Sequence, residues 1–135
     1  MGRKINEDKY GISDRRYREL VYFCLQYKEW KEWLGHNDGT VPGQSADVIP
    51  GGHGKHSDPV AVLAIKREQL QNKCKILEKA AEETSPLFAK YIIKHVTNKE
   101  ITYKYLNMVL HMPCSRKKYY ELRKKFFWLL DKKMP

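Results

Sequence analysis

The sequence lacks long apolar runs. No stretch approaches the roughly 18 consecutive apolar residues that a membrane-spanning helix needs, and the mean hydropathy is −0.70. The opening residues, MGRKINEDKYG, contain no apolar segment like that of a secretory signal peptide. We therefore expect a soluble, cytoplasmic protein without a membrane partner.

Cysteine and metal-ligand patterns are also sparse. The three cysteines, Cys24, Cys74 and Cys114, are too widely spaced for a disulfide framework or a zinc site. Each lies in or beside an apolar helical stretch, so we expect buried free thiols. His53 and His56 lie three residues apart in a glycine-rich segment, which offers no fixed scaffold and no further ligands. The sequence therefore predicts no metal site and no cofactor.

No catalytic constellation is present either. The glycine-rich run at 51–57 lacks the G-x-x-x-x-G-K-S/T spacing of a phosphate-binding loop, and no strand pattern precedes it. His111 lies three residues from Cys114, but a nucleophile needs an oriented base and an oxyanion site, and neither can be identified. We expect that the protein is not an enzyme.

Acidic residues are outnumbered by basic ones. The 135 residues contain 26 Lys and Arg against 16 Asp and Glu, which gives a formal net charge of +10. A surface this basic attracts polyanions such as nucleic acid. The length corresponds to one domain, which can bury a core without disulfides or metals.

Apolar residues recur at helical spacing, and no strand alternation appears, so we predict an all-α fold. Ser13 is expected to cap the first of two helices in an N-terminal hairpin (residues 1–34), and Trp30 and Trp33 should pack on another helix. Gly35 is expected to end this segment. Residues 35–57 contain six of the eight glycines and form a predicted Gly/Pro-rich linker.

A helical body is predicted for residues 58–135. Pro59 after Asp58 favours a helix start, and the helix should run to about Thr84. Positions 60, 63, 67, 70, 74, 77 and 81 form an apolar seam interrupted only by Arg67. The seam indicates either a core-facing stripe or a coiled coil that joins a homodimer. Ser85 and Pro86 are expected to start another helix, to about residue 97.

The last third has the proportions of a helix-turn-helix, at about 102–132. Thr102 should cap a short helix from Tyr103 to about Leu110, and the turn His111-Met112-Pro113-Cys114 should end it, because proline cannot continue a helix. Ser115 then caps a second helix.

The second helix has two faces. Its apolar positions, Tyr119, Leu122, Phe126, Leu129 and Leu130, should pack on the body. Between Ser115 and Lys133, eight basic residues face two acidic ones. The first half of such a helix enters the major groove of double-stranded DNA. The predicted DNA-binding residues are Ser115, Arg116, Lys117, Tyr120, Arg123 and Lys124, with Lys104 and Lys99 extending the contact to the backbone.

Three segments carry a resemblance to a known family. SRKKYYELRKKFFWLL is similar to the C-terminal helix of phage transcriptional regulators of the RinA and ArpU type. YGISDRRYRELVYFCLQYKEWKEWL and the glycine-rich stretch before SDPVAVLAIKREQL resemble the family in the same order. Val60 stands where the family often has threonine, and the turn HMPC is unusual for it. The resemblance implies a helix-turn-helix like the fourth region of sigma factors. It also implies activation of late phage genes in a bacterial host cell, through RNA polymerase.

Two alternatives come from other classes. A phage packaging adaptor, like a small terminase subunit, combines a helix-turn-helix with an oligomerising helix, for which the 60–81 seam is a candidate. A protein-interaction module would use the basic helix to bind an acidic partner, and it predicts no affinity for DNA. Oligomeric state and DNA affinity distinguish these three hypotheses.

Overall fold

The computed structural model describes residues 10–36 and 58–134. The first three α-helices in these residues are α1 (Asp14–Leu25), α2 (Tyr27–His36) and α3 (Pro59–Thr84). They are followed by α4 (Ala89–Val96), a π-helix (Tyr105–Val109) and α5 (Arg116–Lys133). The described residues contain no strand, which confirms the all-α prediction. The N-terminal segment contains the two predicted helices, α1 and α2, which are separated only by Gln26.

The chain divides into two compact units. Of the described residues, one unit contains 10–27 and 75–134, and the other contains 28–36 and 58–74. In this division α1 belongs with the C-terminal helices. The predicted linker lies outside the described residues from position 37 to position 57.

Side-chain caps fix where the helices begin. The hydroxyl oxygens of Ser13, Thr102 and Ser115 each accept a hydrogen bond from the backbone N–H three residues later, at 3.2, 3.1 and 3.2 Å. Each bond satisfies one of the N–H groups that a helix start leaves without an intrahelical partner. All three predicted caps are thereby confirmed.

Two predicted helix boundaries are wrong. Helix α2 passes through Gly35 and reaches His36. Helix α4 begins at Ala89 and not at Pro86, because residues 86–88 form a turn. The Ser85 hydroxyl closes that turn by accepting from the Phe88 N–H at 3.2 Å. The Phe88 carbonyl then accepts the first hydrogen bonds of α4.

The core of the larger unit is built on one face of α5. Helix α1 packs against both α4 and α5. The largest fully buried side chains are Tyr119, Phe126, Phe127, Leu20, Leu77, Ile92, Leu106, Met112, Leu130 and Cys24. All three cysteines are buried and free, as predicted. Burial raises the pKa of the Cys24 thiol well above its usual value, so the thiol stays protonated and unreactive.

The smaller unit is organised around two tryptophans of α2. Trp30 is buried, and the Lys73 ammonium lies 5.5 Å from the centre of its ring. Trp33 lies under the Lys66 ammonium at 4.8 Å. Because both lysines belong to α3, the prediction that these tryptophans pack on another helix is confirmed.

The apolar seam of α3 has two halves. Leu77 and Ala81 are fully buried, and Leu70 and Cys74 are nearly so. Val60 and Leu63, in the first turns, remain exposed. The C-terminal half is therefore a core-facing stripe, and the seam as a whole is not free to form a coiled coil with a second chain.

The turn before α5 holds one residue in the left-handed region. His111 has φ of 58°. The Met112 N–H beyond it donates to the Leu106 carbonyl at 2.9 Å, and the fully buried Met112 side chain anchors the reversal. Helix ends of this kind commonly have glycine at the left-handed position, because a Cβ atom crowds the backbone there.

Replacing His111 tests this conformation. We expect His111→Gly to be more stable than His111→Ala by about 1 kcal/mol, because alanine keeps the left-handed strain and glycine relieves it. Urea unfolding followed by far-UV circular dichroism measures both variants. Equal stability, or a more stable alanine variant, would contradict the left-handed geometry at this position.

Candidate nucleic-acid interface

A short helix, a closed turn and a capped long helix follow one another between residues 103 and 133. Three further hydrogen bonds hold the turn. The Tyr103 hydroxyl donates to the Cys114 carbonyl at 2.5 Å, and the Asn107 side-chain amide donates to the Met112 carbonyl at 3.1 Å. The Cys114 N–H also donates to the Met112 carbonyl, at 2.9 Å. The start of α5 is therefore fixed relative to the helix before it, as a recognition element requires.

The first turn of α5 presents positive charge to solvent. Ser115, Arg116, Lys117 and Lys118 are all exposed. No acidic residue occurs in this turn, and the first one in the helix is Glu121. The helix dipole adds partial positive charge at the same end. Together these features favour binding of phosphate groups at the start of α5.

Arg116 has a defined position on this surface. The carbon at the centre of its guanidinium group lies 4.9 Å from the centre of the Tyr103 ring. Stacking on an aromatic ring restrains the long side chain while leaving its N–H groups at the exposed surface. A restrained guanidinium loses less conformational freedom when it binds a base edge or a phosphate.

The expectation that Arg123 lies on the outward face of α5 is wrong. Its Nη1 donates to the hydroxyl of Tyr17 on α1 at 2.8 Å, and its guanidinium lies 5.0 Å from the centre of the Phe127 ring. Arg123 lies four residues from both Tyr119 and Phe127, which are fully buried, and residues four apart share a helix face. That spacing was visible in the sequence and places Arg123 beside the core.

Tyr120 also lies inward of its expected position. It is half-buried, and its ring contacts those of His95, Tyr103 and Tyr119 at centroid distances of 6.3, 6.4 and 5.4 Å. Tilted and edge-on contacts of this kind stabilise aromatic clusters. Tyr120 thus supports the Tyr103 ring on which Arg116 stacks.

The remaining predicted residues are spread over the larger unit. Lys104 is exposed in the first helix of the motif, and Lys124 is half-buried with its ammonium 3.9 Å from the Glu121 carboxylate. Lys99 is exposed and lines a cleft together with Arg123. The prediction omitted Lys118, although its place in the first turn was enough to include it.

A buried hydrogen bond lies behind the aromatic cluster. The Tyr119 hydroxyl lies 2.6 Å from Nδ1 of His95. Burial raises the pKa of the Tyr119 hydroxyl, so it keeps its proton. Burial, assisted by the charge of Arg123, lowers the pKa of His95 to about 4. At neutral pH a neutral hydroxyl and a neutral imidazole therefore share this hydrogen bond.

The chain matches no protein-family model, no curated protein and no solved structure. No helix in the described residues is both long and apolar enough to cross a membrane. In the same residues, no cluster of three His, Cys, Asp or Glu side chains is arranged to hold a metal ion. His53 and His56 lie outside the described residues.

The lowered pKa of His95 makes stability depend on pH. The unfolded chain takes up the histidine proton near pH 6.5, whereas the folded protein does so only near pH 4. Stability should therefore fall as the pH drops through this window. We expect the loss to be about 2 kcal/mol, below the full value of the pKa difference because the ring is partly exposed.

His95→Gln provides the control, because it lacks the titrating ring and keeps a polar side chain. Urea unfolding at several pH values between 7 and 4 compares the two proteins, and subtracting the curves removes the shared contribution of the carboxylates. Parallel curves for wild type and variant would show that His95 is not held in its neutral form.

Proposed function

We propose that this protein is a sequence-specific double-stranded-DNA-binding transcriptional regulator of phage or prophage genes, acting as an activator. The observation that carries the proposal is the exposed, acid-free first turn of α5, presented after a hydrogen-bonded turn. The net charge of +10 supports it, because a basic surface draws DNA to the protein over long range. The resemblance to RinA and ArpU regulators suggests the same class.

In the proposed complex, the start of α5 enters the major groove. Arg116 can read guanine through the two acceptors on that base. Lys117 and Lys118 can contact phosphates on either side, which fixes the register of the helix without reading sequence. Lys104 extends the phosphate contact from the preceding helix. Activation then needs a contact with RNA polymerase, as the sigma-like resemblance implies.

A packaging adaptor is the second candidate, and one specific observation favours it. Four large apolar side chains at the start of α3, Val60, Val62, Leu63 and Ile65, are 40–66% exposed. Apolar groups gathered on one exposed segment are characteristic of contact surfaces between proteins. Light scattering of the purified protein separates the two functions: a large ring favours packaging, and a monomer or dimer favours regulation.

Selection of bound duplexes from a random DNA library, at about 150 mM salt, tests the leading proposal. An enriched motif is the expected result, and its symmetry reports whether a dimer binds. Recovery of DNA without a motif would favour packaging. Recovery of no DNA would contradict both functions and favour the interaction module with an acidic protein partner.

Two substitutions in α5 separate base reading from phosphate contact. Arg116→Ala should weaken binding by about 1–3 kcal/mol and relax the sequence preference. Lys117→Gln should weaken binding to all sequences alike and reduce the slope of log affinity against log salt by about 1. Both side chains are exposed, so the fold should be unchanged.

Lys79→Gln is the matched control, since Lys79 is an exposed lysine of α3 and carries the same charge. Fluorescence anisotropy over a range of salt concentrations measures all three variants. If Lys79→Gln and Lys117→Gln weaken binding equally, the affinity comes from net charge and α5 is not the recognition helix.

A further inference from the structure

A cleft of about 400 Å³ lies in the larger unit, away from the first turn of α5. Helix α1 contributes Tyr17, Arg18 and Val21 to its walls, and α5 contributes Arg123 and Phe127. The third side is formed at the end of α4 and beyond it, by His95, Val96, Asn98, Lys99 and Ile101. Clefts of this volume with a mixed apolar and polar lining are typical of sites for small molecules.

Arg123 gives this cleft a positive charge without a counter-ion. Its Nη1 is bonded to the neutral Tyr17 hydroxyl, and its Nε is enclosed without a hydrogen-bond partner in the described part of the chain. No acidic residue is among the described residues that line the cleft. A partly enclosed cation of this kind is unfavourable unless an anion offsets its charge.

The other polar groups of the cleft include further donors and cations, together with the Asn98 amide oxygen, which is an acceptor. The neutral His95 ring is held through Nδ1 by the Tyr119 hydroxyl and adds no charge to the cleft. The Tyr17 oxygen accepts from Arg123 and retains its own proton for donation. The exposed side chains of Arg18 and Lys99 add two further cations.

Carbonyl groups at the end of α4 do not cancel this charge. The Thr97 N–H and hydroxyl both donate to the Ile93 carbonyl, at 3.1 and 2.7 Å, and the Asn98 amide donates to the Lys94 carbonyl at 2.9 Å. The carbonyl groups at the negative end of α4 therefore already accept hydrogen bonds from within the protein. Cations and hydroxyl donors therefore set the charge of the cleft, which has no carboxylate among its described lining residues.

The donors come from three sides. Arg123 belongs to α5, Arg18 to α1, and Lys99 to the segment after α4. A tetrahedral phosphate accepts hydrogen bonds from several directions and carries nearly two negative charges, so it fits such an arrangement better than a planar carboxylate. Beside the donors, Val21, Tyr22 and Leu25 of α1 form a partly exposed apolar wall that a bare phosphate ion would leave uncovered.

We propose that this cleft binds a small organic phosphate, with its phosphate group at Arg123 and Lys99 and its apolar part against Val21 and Tyr22. Arg123 and Lys99 were both predicted from the sequence to contact DNA, but the cleft contains no residue of the exposed first turn of α5, so this site does not depend on that turn. DNA carries the same phosphate chemistry, so the test must distinguish a small molecule from a DNA backbone.

Phenyl phosphate is a suitable probe, because it combines a phosphate with an apolar ring. Isothermal titration calorimetry near neutral pH and about 25 mM salt keeps electrostatic screening low. We expect one molecule to bind per chain, at least about tenfold more tightly than inorganic phosphate or phenol alone. Equal affinity for phenyl phosphate and inorganic phosphate, or no binding of either, would overturn the proposal.

Substitutions of the cleft residues test whether phenyl phosphate binds there. Arg123→Gln should weaken phenyl phosphate binding by about tenfold or more, since it removes the enclosed cation. Because Arg123 also bonds to Tyr17, that variant can lose stability. The double variant Arg18→Gln/Lys99→Gln, at two exposed positions, should fold normally and lose roughly tenfold in affinity. Unchanged affinity in the double variant would overturn the assignment.

The double variant Lys79→Gln/Lys94→Gln is the matched control, because both are exposed lysines outside the cleft lining and their replacement removes the same two charges. It should bind phenyl phosphate as the wild type does. A loss equal to that of Arg18→Gln/Lys99→Gln would mean that net charge, and not the cleft, attracts the ligand.

Methyl NMR signals of Val21 and Val96 distinguish the two sources of phosphate. We expect phenyl phosphate to shift both signals and duplex DNA to leave them in place. If DNA shifts them in the same way, the cleft holds a backbone phosphate and the small-molecule assignment is wrong. This outcome is independent of whether DNA selection yields a motif.

Discussion

The burial of one face of α5 is the constraint on which the rest of the larger unit depends. Tyr119, Phe126, Phe127 and Leu130 lose essentially all contact with water there. Each such aromatic or branched side chain contributes about 1.5–3 kcal/mol when it is removed from solvent, so the rotation of α5 about its axis is strongly determined. Helix α1 adds an ion pair to the same contact, between Arg16 and Asp131 at 2.5 Å. That pair also neutralises one of only two acidic residues in α5.

Fixing the rotation of α5 divides its cations into two groups. Lys117 and Lys118, in the first turn, are exposed to solvent. Arg123 shares the face of Tyr119 and Phe127 and points toward α1, where it meets a hydroxyl and not a carboxylate. A helix that looks uniformly basic in the sequence therefore carries two chemically different positive sites.

Most local structure could be predicted because its causes are local. Ser13, Thr102 and Ser115 cap helices through their own side chains, and Pro113 forbids continuation of the helix before it. Gly35 failed as a stop signal because glycine costs a helix only about 1 kcal/mol, which the packing of Trp30 and Trp33 on α3 can offset. Whether a glycine ends a helix depends on such tertiary contacts, and no nearby sequence motif indicates them.

Only part of the candidate site could be predicted, because local features are visible in the sequence and tertiary contacts are not. The exposed start of α5 follows from a cap and a run of basic residues, both of which are local. The π-helical hydrogen bond from the Leu110 N–H to the Tyr105 carbonyl, at 3.2 Å, has no simple sequence signal. The partner of Arg123, Tyr17, lies 106 residues away, so the spacing within α5 indicates that Arg123 faces inward but not what it meets.

Salt provides the physical contrast between the two positive sites. Exposed lysines act through water, where ions at physiological strength screen charges beyond about 8 Å, so binding that depends on them weakens steeply as salt rises. Arg123 is partly enclosed by Tyr17 and Phe127, and charges in such surroundings are screened much less. A polyanion is therefore best drawn to the outer face at low salt, whereas an anion that fits the cleft retains more of its affinity when salt is raised. The same helix can serve both because its buried face holds the two sites apart.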